Sequence, residues 1–270
     1  MRGISMSHSD SSGPSIRQLM ALEGKVAVVT GGGGHLGLEI CKALLELGAQ
    51  VTVVGRNPSK IEPLRSAFAE KVTFLKVDLN AKDSLPILEE NLPQRFDVLV
   101  NNALTWPATP QFEKVQWDEI QVTLSSGIIS PIMLSKLAFV RMAEKGGVIL
   151  NNASMYGSVS PDFRIYRDSG MSNGIDYNAA KAAIIQVTKY LAVKGAPLGI
   201  RVNAFSPGPF SPPGAFDGKD WFRDELLRKM PLARIGQKWE IKGVIAFLAT
   251  DLSSYVTGQN IPVDGGWTIW

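Results

Sequence analysis

Apolar runs alternate with polar, helically periodic stretches from about residue 21 onward. Residues 25–30, KVAVVT, form a short apolar run of the kind that suits a strand buried on both faces. Leu36, Ile40, Leu44 and Leu47 recur at spacings of three and four, which predicts a helix over 35–47, and Gly48 supplies its stop. The same reading predicts strands at 50–54, 72–77, 97–100, 147–150, 200–205 and 260–263. It also predicts a second helix opening at Asn57-Pro58 and long helical stretches at about 112–145, 176–194 and 237–249. Strand–helix alternation implies right-handed crossovers and a doubly wound, Rossmann-like α/β fold with a parallel seven-stranded sheet. No repeat or second composition regime interrupts it, so 21–270 reads as a single domain. Residues 1–20 are Ser-rich, polar and aperiodic, and read as a disordered tail. In such sheets ligands sit outside the carboxyl ends of the strands. Chemistry is therefore sought just after each strand.

Composition narrows the class. The 270 residues carry 28 Lys+Arg against 25 Asp+Glu, a net charge of +3 that is too small to imply a nucleic-acid partner. A hydrophobic share of 45% excludes wholesale disorder. No uninterrupted apolar run approaches the roughly 18 residues of a membrane span. One cysteine, Cys41, and two histidines, His8 and His35, leave no intrachain disulfide and little for a metal site. The expectation is a cytoplasmic enzyme domain acting on a small molecule, with no metal, nucleic-acid or membrane partner.

After the first strand comes Thr30-Gly31-Gly32-Gly33-Gly34-His35-Leu36-Gly37. Gly32, Gly34 and Gly37 satisfy a G-x-G-x-x-G spacing between a strand and a helix. Such a turn lets backbone approach a pyrophosphate, whose charge the helix N-terminus favours. This makes 21–270 a dinucleotide-binding as well as a catalytic domain. The second strand ends Val54-Gly55-Arg56. Gly55 stands where an acidic residue would bond a ribose 2′-hydroxyl, and Arg56 suits a 2′-phosphate, so NADP(H) is the expected cofactor and NAD(H) the alternative. Asp78 and Asn101-Asn102-Ala103 follow the third and fourth strands; they read as contacts to the adenosine half or as turn residues and caps.

Tyr177 and Lys181 lie four apart at the start of a predicted helix and share one face. A neighbouring ammonium favours a phenolate and would bring the phenol towards neutral pH, as proton exchange requires. Ser154 follows the fifth strand. If strand and helix meet at one crevice, its hydroxyl can polarise a substrate carbonyl; otherwise it is a cap.

In these residues the chain resembles a short-chain dehydrogenase/reductase, and the likeness runs from about Leu22 to the C-terminus. It covers the glycine-rich turn, Asp78-Leu79, Asn101-Asn102-Ala103, Ser154 and Tyr177-x-x-x-Lys181, then 200–203 (IRVN), Ser206-Pro207-Gly208, 231–236 (PLARIG), 255–259 (YVTGQ) and 263–266 (VDGG). The resemblance implies cofactor contacts from Gly31, Gly33, Gly34, His35, Leu36, Gly37, Arg56, Asp78, Leu79, Asn102, Ala103, Pro207 and Gly208. It implies Tyr177 as general acid/base, Lys181 as holder of the nicotinamide ribose and tuner of Tyr177, and Ser154 as support for the substrate oxygen. It also implies a homodimer or homotetramer built on the two long helices.

Three departures from the family pattern stand out. The turn usually reads T-G-x-x-x-G-x-G, and its middle glycine falls on His35, which then lies near the pyrophosphate or packs at the helix start. The family's catalytic asparagine, in V-N-L-x-G, falls on Leu124 within Thr123-Leu124-Ser125-Ser126-Gly127, so Ser125, Ser126, backbone or a different relay must serve. The stretch from Ser154 to Tyr177 is longer than usual, with the excess over 157–175. Its Arg164 and Arg167 suit a substrate carboxylate or phosphate, and similar insertions occur in members acting on sugars and sugar acids; the alternative is a surface loop with internal ion pairs. Residues 207–221 read as a lid and Trp106 as a further pocket wall, with buried core as the other reading of the aromatics.

The expected function is NADP(H)-preferring interconversion of a carbonyl and a secondary alcohol on a small polar substrate, a sugar, sugar acid or nucleotide-linked sugar. A 3-oxoacyl-thioester reductase, which predicts an apolar groove at the active site, is the alternative within the class. A cofactor-binding regulator without catalysis is the alternative outside it.

Overall fold

The computed structural model describes residues 13–107, 109 and 111–270. Most of the expected tail therefore lies outside the described residues. The part from 16 to 20 is corrected: Ile16–Met20 is a short helix, α1, closed by a capping box between Ser15 and Gln18.

Seven strands form one parallel sheet: β1 Val26–Thr30, β2 Gln50–Gly55, β3 Val72–Lys76, β4 Val98–Asn101, β5 Gly147–Asn152, β6 Ile200–Pro207 and β7 Asn260–Val263. Their spatial order is β3-β2-β1-β4-β5-β6-β7, so the switch point falls between β1 and β4. Both sheet faces are covered. Val29, Val51, Val53, Ile40 and Leu44 close one core, and Val28, Leu99, Ile149, Leu134 and Val202 the other, all buried. This burial on both sides is why the strands read as unbroken apolar runs.

The helices between them are α2 His35–Glu46, α3 Glu62–Phe68, α4 Ser84–Asn91, α5 Trp117–Leu124, α6 Ser130–Met142, α7 Ile175–Gly195, α8 Asp220–Lys229 and α9 Ile241–Ala249. A π-helical turn, Ser125–Ile129, joins α5 to α6. The resulting segment, Trp117–Met142, is long and apolar enough to cross a membrane by length and composition, a test that a core helix of a folded domain also meets. Leu134, Ala138 and Met142 on this segment pack in the core beside the sheet. Leu134, Ile184 and Leu191 are core residues, whereas Trp117, Ile129, Val140, Tyr190 and Val193 leave apolar surface exposed along α5, the π-helical turn, α6 and α7.

Candidate active site

The turn between β1 and α2 is built by its glycines. Gly31 adopts φ +65°, a left-handed conformation. A Cβ at Gly37 would stand 2.2 Å from the Gly31 carbonyl oxygen, so the helix can lie this close to the turn only without one. The N-terminus of α2 has no side-chain cap on its N–H groups. Uncapped N–H groups at the mouth of a 12-residue helix fit an anionic group. Beneath the turn, Cys41 is fully buried with its Sγ 3.9 Å from the Gly32 carbonyl, and burial pushes its thiol pKa up.

Asn102 braces the turn from β4. Its Nδ2 donates to the carbonyls of Thr30 at 3.0 Å and Gly31 at 3.1 Å, while Thr30 Oγ1 accepts from the N–H groups of Asn102 and Ala103. A cleft of about 540 Å³ opens here, lined by Gly31, Gly33, Gly34, His35, Leu36, Gly37, Arg56, Asp78, Leu79, Asn102 and Ala103. Eleven residues singled out in the sequence thus share one cleft. The shape, the glycine cradle and the uncapped helix mouth fit a dinucleotide. Lys60, Ser126 and Asn152 also line it and were not anticipated as contacts. Asp78 is at the same time a turn residue, accepting from the Asn80 N–H. His35 lines the cleft while its ring sits near Lys238, Glu39 and the Phe210 backbone; burial, then Lys238, hold its pKa below the ordinary imidazole value. Pro207 ends β6 and Gly208 follows it, both outside this lining. The Gly208 N–H donates to the Val263 carbonyl at 3.0 Å, which ties the end of β6 to β7.

The reacting end lies where β5 meets the start of α7. Ser154 is buried, and its hydroxyl accepts from the Tyr156 N–H, so it caps a short turn as well as facing Tyr177. Tyr177 is pushed above the ordinary phenol value by burial, and its hydrogen bond with Ser154 pulls it part of the way back. Lys181 is buried beside it, with Nζ 5.7 Å from the centre of the Tyr177 ring and donating to the Asn152 carbonyl at 2.6 Å. Burial lowers its pKa to about 8. Desolvation favours the neutral form of both groups, the opposite direction from the pull expected of an ammonium on the phenol. Trp106 packs on Tyr177 with ring centres 4.8 Å apart, and its Nε1 is buried without a partner. One residue before Tyr177, the buried carboxylate of Asp176 accepts a 2.6 Å hydrogen bond from Thr123 Oγ1. Neither Thr123 nor Asp176 was anticipated.

The long insertion is a correction to the substrate reading. Arg164 is exposed and bonded to Asp162, which also meets Lys229 of α8 at 2.5 Å. Arg167 pairs with Glu225 of α8 at 2.7 Å and lies over the Trp221 ring. Both guanidinium groups are engaged by the chain's own side chains, so the structure does not bring them to Tyr177. The insertion's apolar residues do come there: Val159, Ile165, Tyr166 and Met171 join Phe216, Phe222 and Leu226 in the cluster against which Tyr177 packs. The expected lid is also only partly loop, since α8 begins at Asp220. The π-helical turn, beginning one residue after Leu124, carries Ser126, whose hydroxyl accepts from the Thr105 N–H and fastens the Trp106 loop. Among the described residues, no group of three or more His, Cys, Asp or Glu side chains could hold a metal ion.

A family model described as enoyl-(acyl carrier protein) reductase matches residues 34–268. The chain is 33% identical over 261 residues to a 3-oxoacyl-[acyl-carrier-protein] reductase of Thermotoga maritima, covering 93% of this chain and 100% of the relative. A short-chain dehydrogenase from Leptospira borgpetersenii, solved with bound NAD+, superimposes with a TM-score of 0.82 at 31% identity, over 98% of this chain and 100% of its own. A gluconate 5-dehydrogenase from Burkholderia cenocepacia, solved with NADP and tartrate, gives a TM-score of 0.82 at 25% identity, over 95% of this chain and 100% of its own. With the turn, the cleft and the Tyr177–Lys181 pair all carried on a sheet that matches over nearly its whole length, the chain belongs to the short-chain dehydrogenase/reductase family and is an NAD(P)-dependent oxidoreductase.

Proposed function

We propose that the protein is an NADP(H)-preferring enzyme, with NAD(H) the alternative cofactor, that interconverts a carbonyl and a secondary alcohol. The observation that carries the reading is Tyr177, a partly buried phenol that faces Ser154 and is flanked by Lys181. A bound dinucleotide supplies or accepts the hydride. Ser154 orients the substrate oxygen, and Tyr177 delivers a proton from Oη to that oxygen as the alcohol forms. A phenol held above its ordinary pKa is protonated at neutral pH, which suits the reducing direction. Lys181 holds the cofactor's ribose and neighbours the phenol. Arg56 and Lys60, both on the cleft wall after β2, support the preference for a 2′-phosphate.

For the substrate, the expectation of a sugar, sugar acid or nucleotide-linked sugar rested on the charged insertion. The pairing of Arg164 and Arg167 removes that support, and the apolar cluster beside Tyr177 favours the second reading, a carbonyl on an apolar body such as a 3-oxoacyl thioester. We place the protein in the cytoplasm and as a homodimer or homotetramer; the exposed Trp117, Val140, Tyr190 and Val193 on the long helices support the assembly.

The test is turnover with NADPH of a 3-oxoacyl thioester and of a panel of keto-sugar acids, by wild type and by Tyr177→Phe. Losing the proton donor is expected to lower kcat by about 100-fold or more. Full turnover by Tyr177→Phe would overturn the assignment. A wild type that binds NADPH but turns over no carbonyl would point to the regulator instead. Turnover of the sugar acids alone would overturn the apolar reading.

A further inference from the structure

Two asparagine side chains run from the phosphate turn to the catalytic lysine. Asn102 donates through Nδ2 to the Thr30 and Gly31 carbonyls, which fixes its amide and leaves Oδ1 facing β5. Asn152 Nδ2 donates to that oxygen at 2.8 Å, and the Asn152 main-chain carbonyl accepts from Lys181 Nζ at 2.6 Å. The orientation of the Asn152 amide is thereby set by its neighbours: turning it over would bring two carbonyl oxygens together. Its own Oδ1 is then the outward atom. That oxygen is buried and has no hydrogen-bond partner, and Asn152 lines the dinucleotide cleft. An acceptor kept buried and unpaired weakens the fold unless a ligand satisfies it.

We propose that Asn152 is a ligand-binding residue of this cleft, whose free Oδ1 accepts a hydrogen bond from an O–H donor held beside Lys181. The inference rests on the functional reading above. The donor is a hydroxyl of the cofactor's sugar or a water on the proton path, and the two sources give different signatures. Because the amide also links Asn102 to the strand that anchors Lys181, the residue connects the phosphate turn to the reacting end, its side chain bonded to Asn102 and its main-chain carbonyl to Lys181.

The experiment uses the full chain with Asn152→Ala and Asn152→Leu, the second matching the shape of asparagine without its polar atoms. NADPH affinity is measured by fluorescence titration, which needs no substrate, and kcat with a carbonyl is measured in light and heavy water. A sugar hydroxyl as donor is expected to raise the NADPH Kd at least fivefold in both variants. A water as donor is expected to leave Kd within twofold, lower kcat at least tenfold and change the solvent isotope effect. Folding is checked by melting, and Asn152→Ser replaces a variant that does not fold, with the same expectations. Folded variants with Kd and kcat both within twofold of wild type would overturn the proposal. A wild type that binds neither dinucleotide, or a Tyr177→Phe variant with full turnover, would instead overturn the functional reading.

Discussion

Thr123→Val replaces a buried hydroxyl by a methyl group of nearly the same shape and leaves Asp176 buried without its Thr123 partner. A hydrogen bond to a charged group contributes about 1.5–3 kcal/mol, and stranding the charge adds to that. The N-terminal end of α7 offsets part of the loss, about 0.3–1 kcal/mol for a carboxylate in the first turn. The net cost is therefore about 2–3 kcal/mol. At roughly 2–4 °C per kcal/mol for a domain of this size, the melting temperature should fall by about 5–10 °C. The assay is thermal and urea unfolding of Thr123→Val, Asp176→Leu and the double variant. Once Asp176 is gone, Thr123→Val has no carboxylate to strand and should cost under about 1 kcal/mol, giving a coupling of about 1–2 kcal/mol. Since Asp176 precedes Tyr177, kcat should fall in Thr123→Val, and Thr123→Ser should restore it. Single effects that add within about 0.5 kcal/mol, or a Thr123→Val melting point within about 2 °C of wild type, would refute the reasoning.

Three further outcomes are expected. Gly37→Ala sets a Cβ against the Gly31 carbonyl at 2.2 Å, so NADPH binding should weaken at least about tenfold, read by fluorescence titration, because backbone on both sides must move. Arg56→Ala should weaken NADPH by about 10- to 100-fold, the equivalent of one charge-assisted pair, and leave NADH within about twofold. Lys181 titrates at about 8 when folded and near 10.5 when unfolded, so the unfolded chain binds more protons between those values and stability rises with pH through that window. The contribution is roughly 3 kcal/mol at full extent, and Lys181→Met should flatten the pH dependence of stability from 8 to 10.5.

The sheet was legible because its five inner strands, β1, β2, β4, β5 and β6, are apolar runs buried on both faces, and the cofactor cleft because its residues follow strands in chain order. Three helices escaped notice: Ile16–Met20 is a five-residue helix in a Ser-rich stretch, and two others are hidden for physical reasons. Ser84–Asn91 carries Pro86 in its first turn, and Asp220–Lys229 is mostly charged and follows a Pro- and Gly-rich loop that masks its start. Arg164 and Arg167 show what residue type leaves open: a guanidinium pairs with whatever carboxylate the fold brings, and Glu225 lies 58 positions from Arg167. Thr123 and Asp176 are 53 apart, and nothing local marks either as a partner. Asn152 looks like an ordinary residue at a strand end until the direction of its amide is known.

The buried sulfur under the phosphate turn gives the protein an internal reporter. Cys41 is the chain's sole thiol and has no exposed surface, so an alkylating reagent reaches it only when the packing around the β1–α2 turn and α2 opens. Its labelling rate therefore clocks that local opening without an engineered probe. A dinucleotide seated on the turn holds it shut, and the slowing of alkylation with added cofactor would measure occupancy in a mixture where neither fluorescence nor turnover can be read.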